Sequence, residues 1–247
     1  MRSKVMIAVL LAGGMLAVVQ AQPGRGFGGF GGVTGLVRNK AVQEDLKMTD
    51  EQVTKVGEWA KEFGPKSMEI MKDKGVEFGG KGGKGGGFGK QTPEQLEKMA
   101  AANAEISKVA YKELGDILKK EQVDRLKQID RQNTGVNAFT HEDVVEALKL
   151  TDSQKTSIKG LATDLGKDSA EIRTEAGFGK GGGGGKGTFD PEKMAEMNKK
   201  IQKAQKEYTA KAVDLLTDDQ KKTWKTLIGA DFDLTKLQQG GFGKKKD

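Results

Sequence analysis

A five-residue pattern recurs along the chain: Leu or Met, then Thr, two variable residues, and Gln. A Thr hydroxyl at a helix start can accept a hydrogen bond from the main chain of the first turn, and a Gln three residues later can bond back to the Thr main chain. The pattern therefore predicts helix starts whose chemistry is hydrogen bonding. The candidate capping residues are Met48, Thr49, Gln52, Leu118, Gln122, Leu150, Thr151, Gln154, Leu216, Thr217 and Gln220.

Covalent and metal chemistry have few candidate residues. The 247 residues include no Cys and a single His, His141. This composition excludes thiolate nucleophiles, disulfides, sulfur-ligated zinc and multi-histidine metal sites. Asp and Glu are mixed with Lys along the predicted helix faces, which is typical of solvated surfaces rather than of paired catalytic carboxylates. We therefore predict no enzymatic activity, no cofactor and no metal.

The elements that carry the pattern are predicted to be helices. From Pro191 to Leu215 the apolar or small residues recur in steps of three or four, which makes one stripe on an amphipathic helix. Asp190 is its natural N-cap, with Pro191 at the first helical position. No run of residues alternates apolar and polar side chains in the manner of a strand. The predicted fold class is all-α, built from long amphipathic helices.

The chain also contains an internal duplication. Residues 42–56 match residues 144–158 at eight of fifteen positions, an offset of 102, and residues 93–99 resemble residues 191–197 at an offset of 98. Each predicted unit is near 100 residues long and has the same order of elements. The predicted units are 36–132, with a Gly-rich linker at 74–92, and 133–234, with a Gly-rich linker at 177–189.

Glycine and positive charge are concentrated in four segments that hold 27 of the 36 glycines, ten positive residues and two negative ones. Glycine loses more backbone entropy on ordering than any other residue, so these segments are predicted to be flexible. The rest of the mature chain has a net charge near −3, so no nucleic-acid partner is expected. The segments are 22–35, 74–92, 177–189 and 240–247, the last within a predicted Gly/Lys-rich tail at 235–247.

Residues 1–21 are predicted to be a cleavable signal peptide. Arg2 and Lys4 precede an apolar run over residues 5–19, and small residues surround the expected cleavage point. The run is shorter than the roughly 20 residues that span a bilayer as a helix. We therefore expect a periplasmic or otherwise exported protein.

Four copies of the pattern in an exported, cysteine-free, helical chain resemble the LTxxQ-motif (Spy/CpxP-like) family of bacterial envelope proteins. Members typically carry two such motifs in a short helical chain that pairs into a curved dimer. This chain resembles two family units in tandem, over residues 36–75, 92–176 and 190–234. It departs from the family in its glycine linkers and in Lys119, which stands where Thr is expected.

The resemblance implies a chaperone-like function without ATP, in which the protein binds unfolded or partly folded envelope proteins. Regulation through an envelope sensor protein is the first alternative. The second is a structural role, in which the basic tails attach to anionic envelope polymers. The tandem units imply either a pseudo-dimeric monomer or a homodimer.

Five methionines are candidate client-binding residues, because thioether side chains repack easily against different partners. The alternative for each of them is ordinary packing between helices. These residues are Met68, Met71, Met99, Met194 and Met197.

Overall fold

The computed structural model describes residues 32–76, 93–177 and 190–239. Within these ranges the fold is all-α and contains no strand, which confirms the predicted fold class. The elements are α1 (Val33–Arg38), α2 (Lys40–Asp45), α3 (Asp50–Asp73), α4 (Pro93–Leu114), α5 (Lys120–Thr134), a 3-10 helix (Gly135–Thr140), α6 (Glu142–Leu148), α7 (Asp152–Glu175), α8 (Pro191–Asp214), α9 (Asp218–Ile228) and α10 (Lys236–Gln239).

Several sequence predictions concern residues outside the described ranges. They are the signal peptide at 1–21 and most of the Gly-rich segments, namely residues 22–31, 77–92, 178–189 and 240–247. Among the described helices, none is long and apolar enough to cross a membrane.

Two stretches that the sequence assigns to flexible segments are helical instead. Val33 and Thr34, from the predicted segment 22–35, are buried in α1. Leu237, from the predicted tail 235–247, lies in α10 and packs against the hydrophobic core. The physical reason is apolar burial, which offsets the entropy of ordering the neighbouring residues.

Two antiparallel helix pairs form the body of the fold. In the first pair, α3 and α4, Gln52 contacts the Ile117 carbonyl at one end. At the other end Gly75 lies against the Lys98 side chain. The second pair, α7 and α8, repeats this arrangement, and α3 and α7 have 24 residues each. We call the end near the Gln residues the motif end of each pair, and the opposite end the tip.

Each pair contributes to its own hydrophobic cluster. An aromatic stack marks each cluster: Trp59 on Phe63 in the first, with ring centroids 4.7 Å apart, and Phe139 on Trp224 in the second, 4.0 Å apart. The first cluster consists of Val33, Leu36, Val37, Val42, Leu46, Val56, Trp59, Phe63, Ala110, Leu114, Leu118, Val123, Leu126, Ile129 and Phe232. The second consists of Val136, Ala138, Phe139, Val144, Leu148, Leu150, Ile158, Leu165, Ala212, Leu216 and Trp224.

The two clusters are joined by α5 and α9, whose C-terminal ends meet. Arg131 Nη1 donates a hydrogen bond to the Leu227 carbonyl at 2.9 Å, and Gln132 Nε2 donates to the Ile228 carbonyl at 2.7 Å. The helix α5 continues to Thr134, across the predicted boundary between residues 132 and 133. The two units therefore pack against each other within one chain.

Beyond this junction a glycine ends each of the two helices, and the segments that follow pack in different clusters. Gly135, with φ of 61°, ends α5, and the 3-10 helix that follows buries Phe139 in the second cluster. Gly229, also with φ of 61°, ends α9, and Phe232 is buried in the first cluster. We call residues 229–239 the C-terminal strap.

The backbone conformation at Gly229 and the nearby Gln128 side chain disfavour any other residue there. A Cβ there would lie 2.1 Å from Gln128 Oε1, and the left-handed φ disfavours every residue but glycine. We expect Gly229→Ala to lower the free energy of unfolding by about 2 kcal/mol or more, from backbone strain and displacement of Gln128. Urea denaturation measures this change.

The matched control is Gly160→Ala on the exposed face of α7, where a Cβ would meet nothing within 4 Å. That change is expected to raise stability by up to about 1 kcal/mol, because alanine favours a helix interior. A Gly229→Ala protein as stable as the control would contradict the close approach of the strap to α5.

Candidate functional site

The Thr residues of the motifs cap their helices. Thr49 Oγ1 accepts a hydrogen bond from Gln52 N at 3.2 Å, and Gln52 Oε1 accepts one from Thr49 N at 3.1 Å. Thr151 with Gln154 does the same at the start of α7, and Thr217 with its Gln does so at the start of α9. These reciprocal bonds satisfy main-chain N–H groups that the helix itself leaves without partners.

The motif that starts α5 lacks half of this arrangement. Gln122 Oε1 still accepts a hydrogen bond from Lys119 N at 2.9 Å. A Lys side chain has no acceptor atom, so Gln122 N turns to the Lys119 carbonyl at 3.0 Å. The first turn of α5 is therefore held by main-chain and Gln contacts alone.

The Gln residues also bond to each other between α3 and α5, at the motif end of the first helix pair. Gln52 Nε2 donates to Gln122 Oε1 at 2.8 Å and to the Ile117 carbonyl at 3.1 Å. In return, Gln122 Nε2 donates to Gln52 Oε1 at 3.1 Å and to the Leu46 carbonyl at 2.9 Å. Each amide thus has two donor and two acceptor contacts, its full capacity. We call this arrangement an amide pair.

A second amide pair closes the other helix pair. Gln154 Nε2 donates to Gln220 Oε1 at 2.7 Å and to the Leu215 carbonyl at 2.9 Å. Gln220 Nε2 donates to Gln154 Oε1 at 3.1 Å and to the Leu148 carbonyl at 3.0 Å. Both amide pairs join the start of a long helix to the start of the last helix of the same unit.

The pairing explains why all four motifs carry Gln. A capping box accepts Glu equally well, so local physics does not distinguish the two residues. A Glu at either position has no donor for the facing amide or carbonyl, and two Glu would place like charges in contact. The sequence analysis missed this contact, and the consistent choice of Gln over Glu was the signal that could have indicated it.

The apolar residue of each motif anchors the amide pair to the cores. Leu118 belongs to the first cluster, and Leu150 and Leu216 belong to the second. Met48 is half-buried and packs against the first cluster. Each motif therefore combines a cap, a contact between helices and a buried side chain within five residues.

The five candidate methionines lie at the tips, away from the amide pairs. Met68 is 57% exposed, and Met71, Met99, Met194 and Met197 are half-buried. None of the five is among the residues of the two clusters or the partly buried residues packed against them. They divide into a first tip, Met68, Met71 and Met99, and a second tip that holds Met194 and Met197.

The second tip carries a shallow groove of about 310 Å³. Its apolar lining includes Ile172, Ala176 and Met197, and charged residues of both signs surround it. Ile172 and Ala176 were not predicted as site residues, because nothing in the sequence distinguishes them from core positions. The charged residues are Glu175, Lys193, Glu196 and Lys200.

Polar contacts tie the helices together between motif end and tip. In the first pair, Trp59 Nε1 donates to Glu113 at 2.9 Å and Lys66 bonds to the same carboxylate. Partial burial raises the pKa of Glu113, but the hydrogen bonds from Lys66 and Trp59 outweigh it and leave the pKa below its ordinary value. In the second pair, the Tyr208 hydroxyl donates to Asp168 at 2.8 Å, which raises the pKa of Tyr208.

A buried carboxylate lies at the junction of the units. Asp130 is 5% exposed and accepts hydrogen bonds from the Tyr111 hydroxyl at 2.7 Å and from Thr134 Oγ1 at 3.3 Å. Burial raises the pKa of Asp130, opposed by the Tyr111 hydrogen bond and by the charges of His141 and Arg131. Burial and the Asp130 charge raise the pKa of Tyr111 well above its usual range. This network links α4 to α5 where the second unit begins.

Within the described residues no group of three or more His, Asp or Glu side chains could hold a metal ion. Comparison of the chain with protein-family models, with curated protein sequences and with solved structures gave no match. The candidate site therefore consists of the amide pairs at the motif ends and of the tips at the opposite ends of the helix pairs.

The amide pair predicts a pH-dependent effect of Gln154→Glu. The carboxylate would face the Gln220 oxygen and the Leu215 carbonyl without a donor, so we expect a loss of about 2 kcal/mol at pH 7. The same contacts raise the folded-state pKa of the new Glu above its unfolded value of about 4.3. Stability relative to wild type should therefore be recovered below pH 4 and lost as the pH rises through the folded-state pKa.

Thermal melting of variant and wild type from pH 3.5 to pH 7 tests this expectation. Asn103→Asp, on the exposed face of α4, is the matched amide-to-acid control and should change stability by less than about 0.5 kcal/mol. If Gln154→Glu melts like wild type at pH 7, the amide pair does not stabilise the fold.

The incomplete cap of α5 predicts that Lys119→Thr is stabilising. A Thr hydroxyl would accept the bond that Gln122 N lacks, and N-caps of this type contribute about 1 kcal/mol. The control is Lys120→Thr, which places the same residue one position later, inside the helix, where it should give no gain. Equal melting temperatures for the two variants would show that position 119 is not a cap.

Proposed function

We propose that the protein is an exported, ATP-independent chaperone-like protein that binds unfolded or misfolded envelope proteins at the tips of its two helix pairs. The single observation that supports this function is the position of the candidate methionines. All five lie at the tips, exposed or half-buried, and outside both clusters. Apolar side chains that the fold leaves in contact with water are available to a partner.

The chemistry of the second tip suits reversible binding of many sequences. Its groove offers a few apolar atoms between acidic and basic residues of similar number. Such a surface gives individually weak apolar contacts without a strong charge preference, and Met side chains repack around differently shaped groups. Weak contacts allow clients to dissociate without an energy source.

The amide pairs support the same proposal from the opposite end of each helix pair. They fix the motif ends by hydrogen bonds, so the tips are held on helices of 24 residues, about 36 Å long. The two tips belong to one chain whose units pack through α5 and α9. A client can therefore be contacted at two surfaces at once, which raises the overall affinity of weak sites.

A light-scattering assay tests the proposal. Purified mature protein is added without ATP to a model substrate that aggregates, and wild type is compared with a chain in which all five tip methionines are changed to Gln. Each Met that a client fully buries contributes about 1.5–3 kcal/mol. Losing two such contacts should raise the concentration needed for half-maximal suppression at least tenfold, by the relation of free energy to affinity.

The matched control changes Ala170 and Ala195 to Gln. Both alanines are exposed and lie on α7 and α8 near the second tip. This control should keep wild-type suppression. If wild type fails to suppress aggregation, or if the methionine variant and the control suppress equally, the tips do not bind clients.

A further inference from the structure

The C-terminal strap lies on the first unit in the manner of a bound peptide. Phe232 is 8% exposed, and Leu234 and Leu237 are half-buried and pack against the first cluster. The neighbouring residues Asp231, Asp233, Thr235 and Lys236 are exposed. The strap therefore contacts the first unit through three apolar side chains and leaves these four side chains in water.

The polar contacts of the strap are directed at its main chain. Gln132 Nε2 donates to the Ala230 carbonyl at 2.8 Å, and Gln132 Oε1 accepts from Phe232 N at 2.8 Å. Arg125 Nη1 donates to the Ala230 carbonyl at 2.6 Å, and Asn39 Nδ2 donates to the Leu237 carbonyl at 3.3 Å. Main-chain contacts hold any sequence in the same way, and apolar pockets then select the side chains.

The residues that hold the strap are specific to the first unit. At the offset of 98 residues that relates the last helices of the two units, Arg125 corresponds to Thr223 and Gln132 to Ala230. Ala230 has no polar side-chain atom, and the Thr223 hydroxyl donates to the Asp219 carbonyl within its own helix at 3.0 Å. The fold thus places the groove on one unit, at α2 and α5, and not on its twin.

We propose that this groove is a peptide-binding site for short segments of incompletely folded polypeptides, and that the strap is its intramolecular occupant. Its ligand carries apolar residues at the spacing of Phe232, Leu234 and Leu237. A ligand in trans competes with the strap, whose tethering through Gly229 gives it an effective concentration of about millimolar. The strap therefore lowers the affinity of the groove for external peptides in the intact chain. The groove is separate from the tips, and the choice of incompletely folded polypeptides as its ligand rests on the proposed function.

Peptide binding to the full-length chain tests the proposal by fluorescence anisotropy. The probe is a labelled peptide with the sequence of residues 229–239, and the control peptide has Ser in place of Phe232 and Leu237. A full-length variant with Phe232→Ser and Leu237→Ser weakens the internal strap. We expect this variant to bind the probe at least tenfold more tightly than wild type does, and the control peptide at least tenfold more weakly than the probe.

Adding Gln132→Ala to the weakened-strap variant should reduce probe binding at least tenfold. Equal binding of probe and control peptide, or no probe binding to a weakened-strap variant with wild-type helicity, overturns the proposal. The proposal is also overturned if the weakened-strap variant dimerises in sedimentation without binding the probe. In that case the groove accepts the strap of a second copy of the chain but not a free peptide.

Hydrogen exchange on the wild-type chain tests whether the strap can leave the groove, and this test does not depend on how the variants fold. A releasable strap opens more often than the cluster beneath it, so the Phe232 amide should exchange at least tenfold faster than the Leu126 amide of α5. Equal protection of the two amides would mean that the strap leaves only on global unfolding, and the groove would not be open to a competitor.

Discussion

The reciprocal hydrogen bonds between paired Gln side chains are the constraint on which each unit depends. Every donor and acceptor of the Gln52 and Gln122 amides is used, partly for the caps of their own helices and partly for each other. A half-buried amide that loses its partner leaves polar atoms unsatisfied, so alternative registers of the helices are disfavoured. The pair therefore sets both where the helices begin and how they align.

The amide pair at the motif end is related to how burial is distributed along the whole helix pair. Close packing is concentrated near the amide pairs, where Leu118 and Leu216 are buried. At the first tip Met68 is largely exposed, and none of the five tip methionines belongs to either cluster. The free energy that aligns the helices is thus supplied away from the tips, so tip residues can be apolar without being needed for the core.

The junction of the units includes one segment that crosses from one unit to the cluster of the other. The 3-10 helix after α5 completes the second cluster with Phe139, and the strap after α9 completes the first cluster with Phe232. The 3-10 helix lies 102 residues after α1 and so belongs to the second unit, whereas the strap follows the second unit and packs on the first. Because the strap belongs to the same chain, it packs there without the association entropy that a separate molecule would lose. The strap is the less buried of the two, which makes it the more easily displaced.

Sequence alone determined the all-α class and the helix starts at Thr49, Thr151 and Thr217, because periodicity and capping involve atoms only a few residues apart. Tertiary structure decided that Gln52 meets Gln122, 70 residues away, since any of the four Gln side chains offers the same donors and acceptors. It also decided that Phe232, from the predicted second unit, and Leu237, from the predicted Gly/Lys-rich tail, cover the first cluster. Composition argued for a tail from residue 235 onward, but burial against α2 and α5 depends on where those helices lie in space, and no local pattern encodes that position.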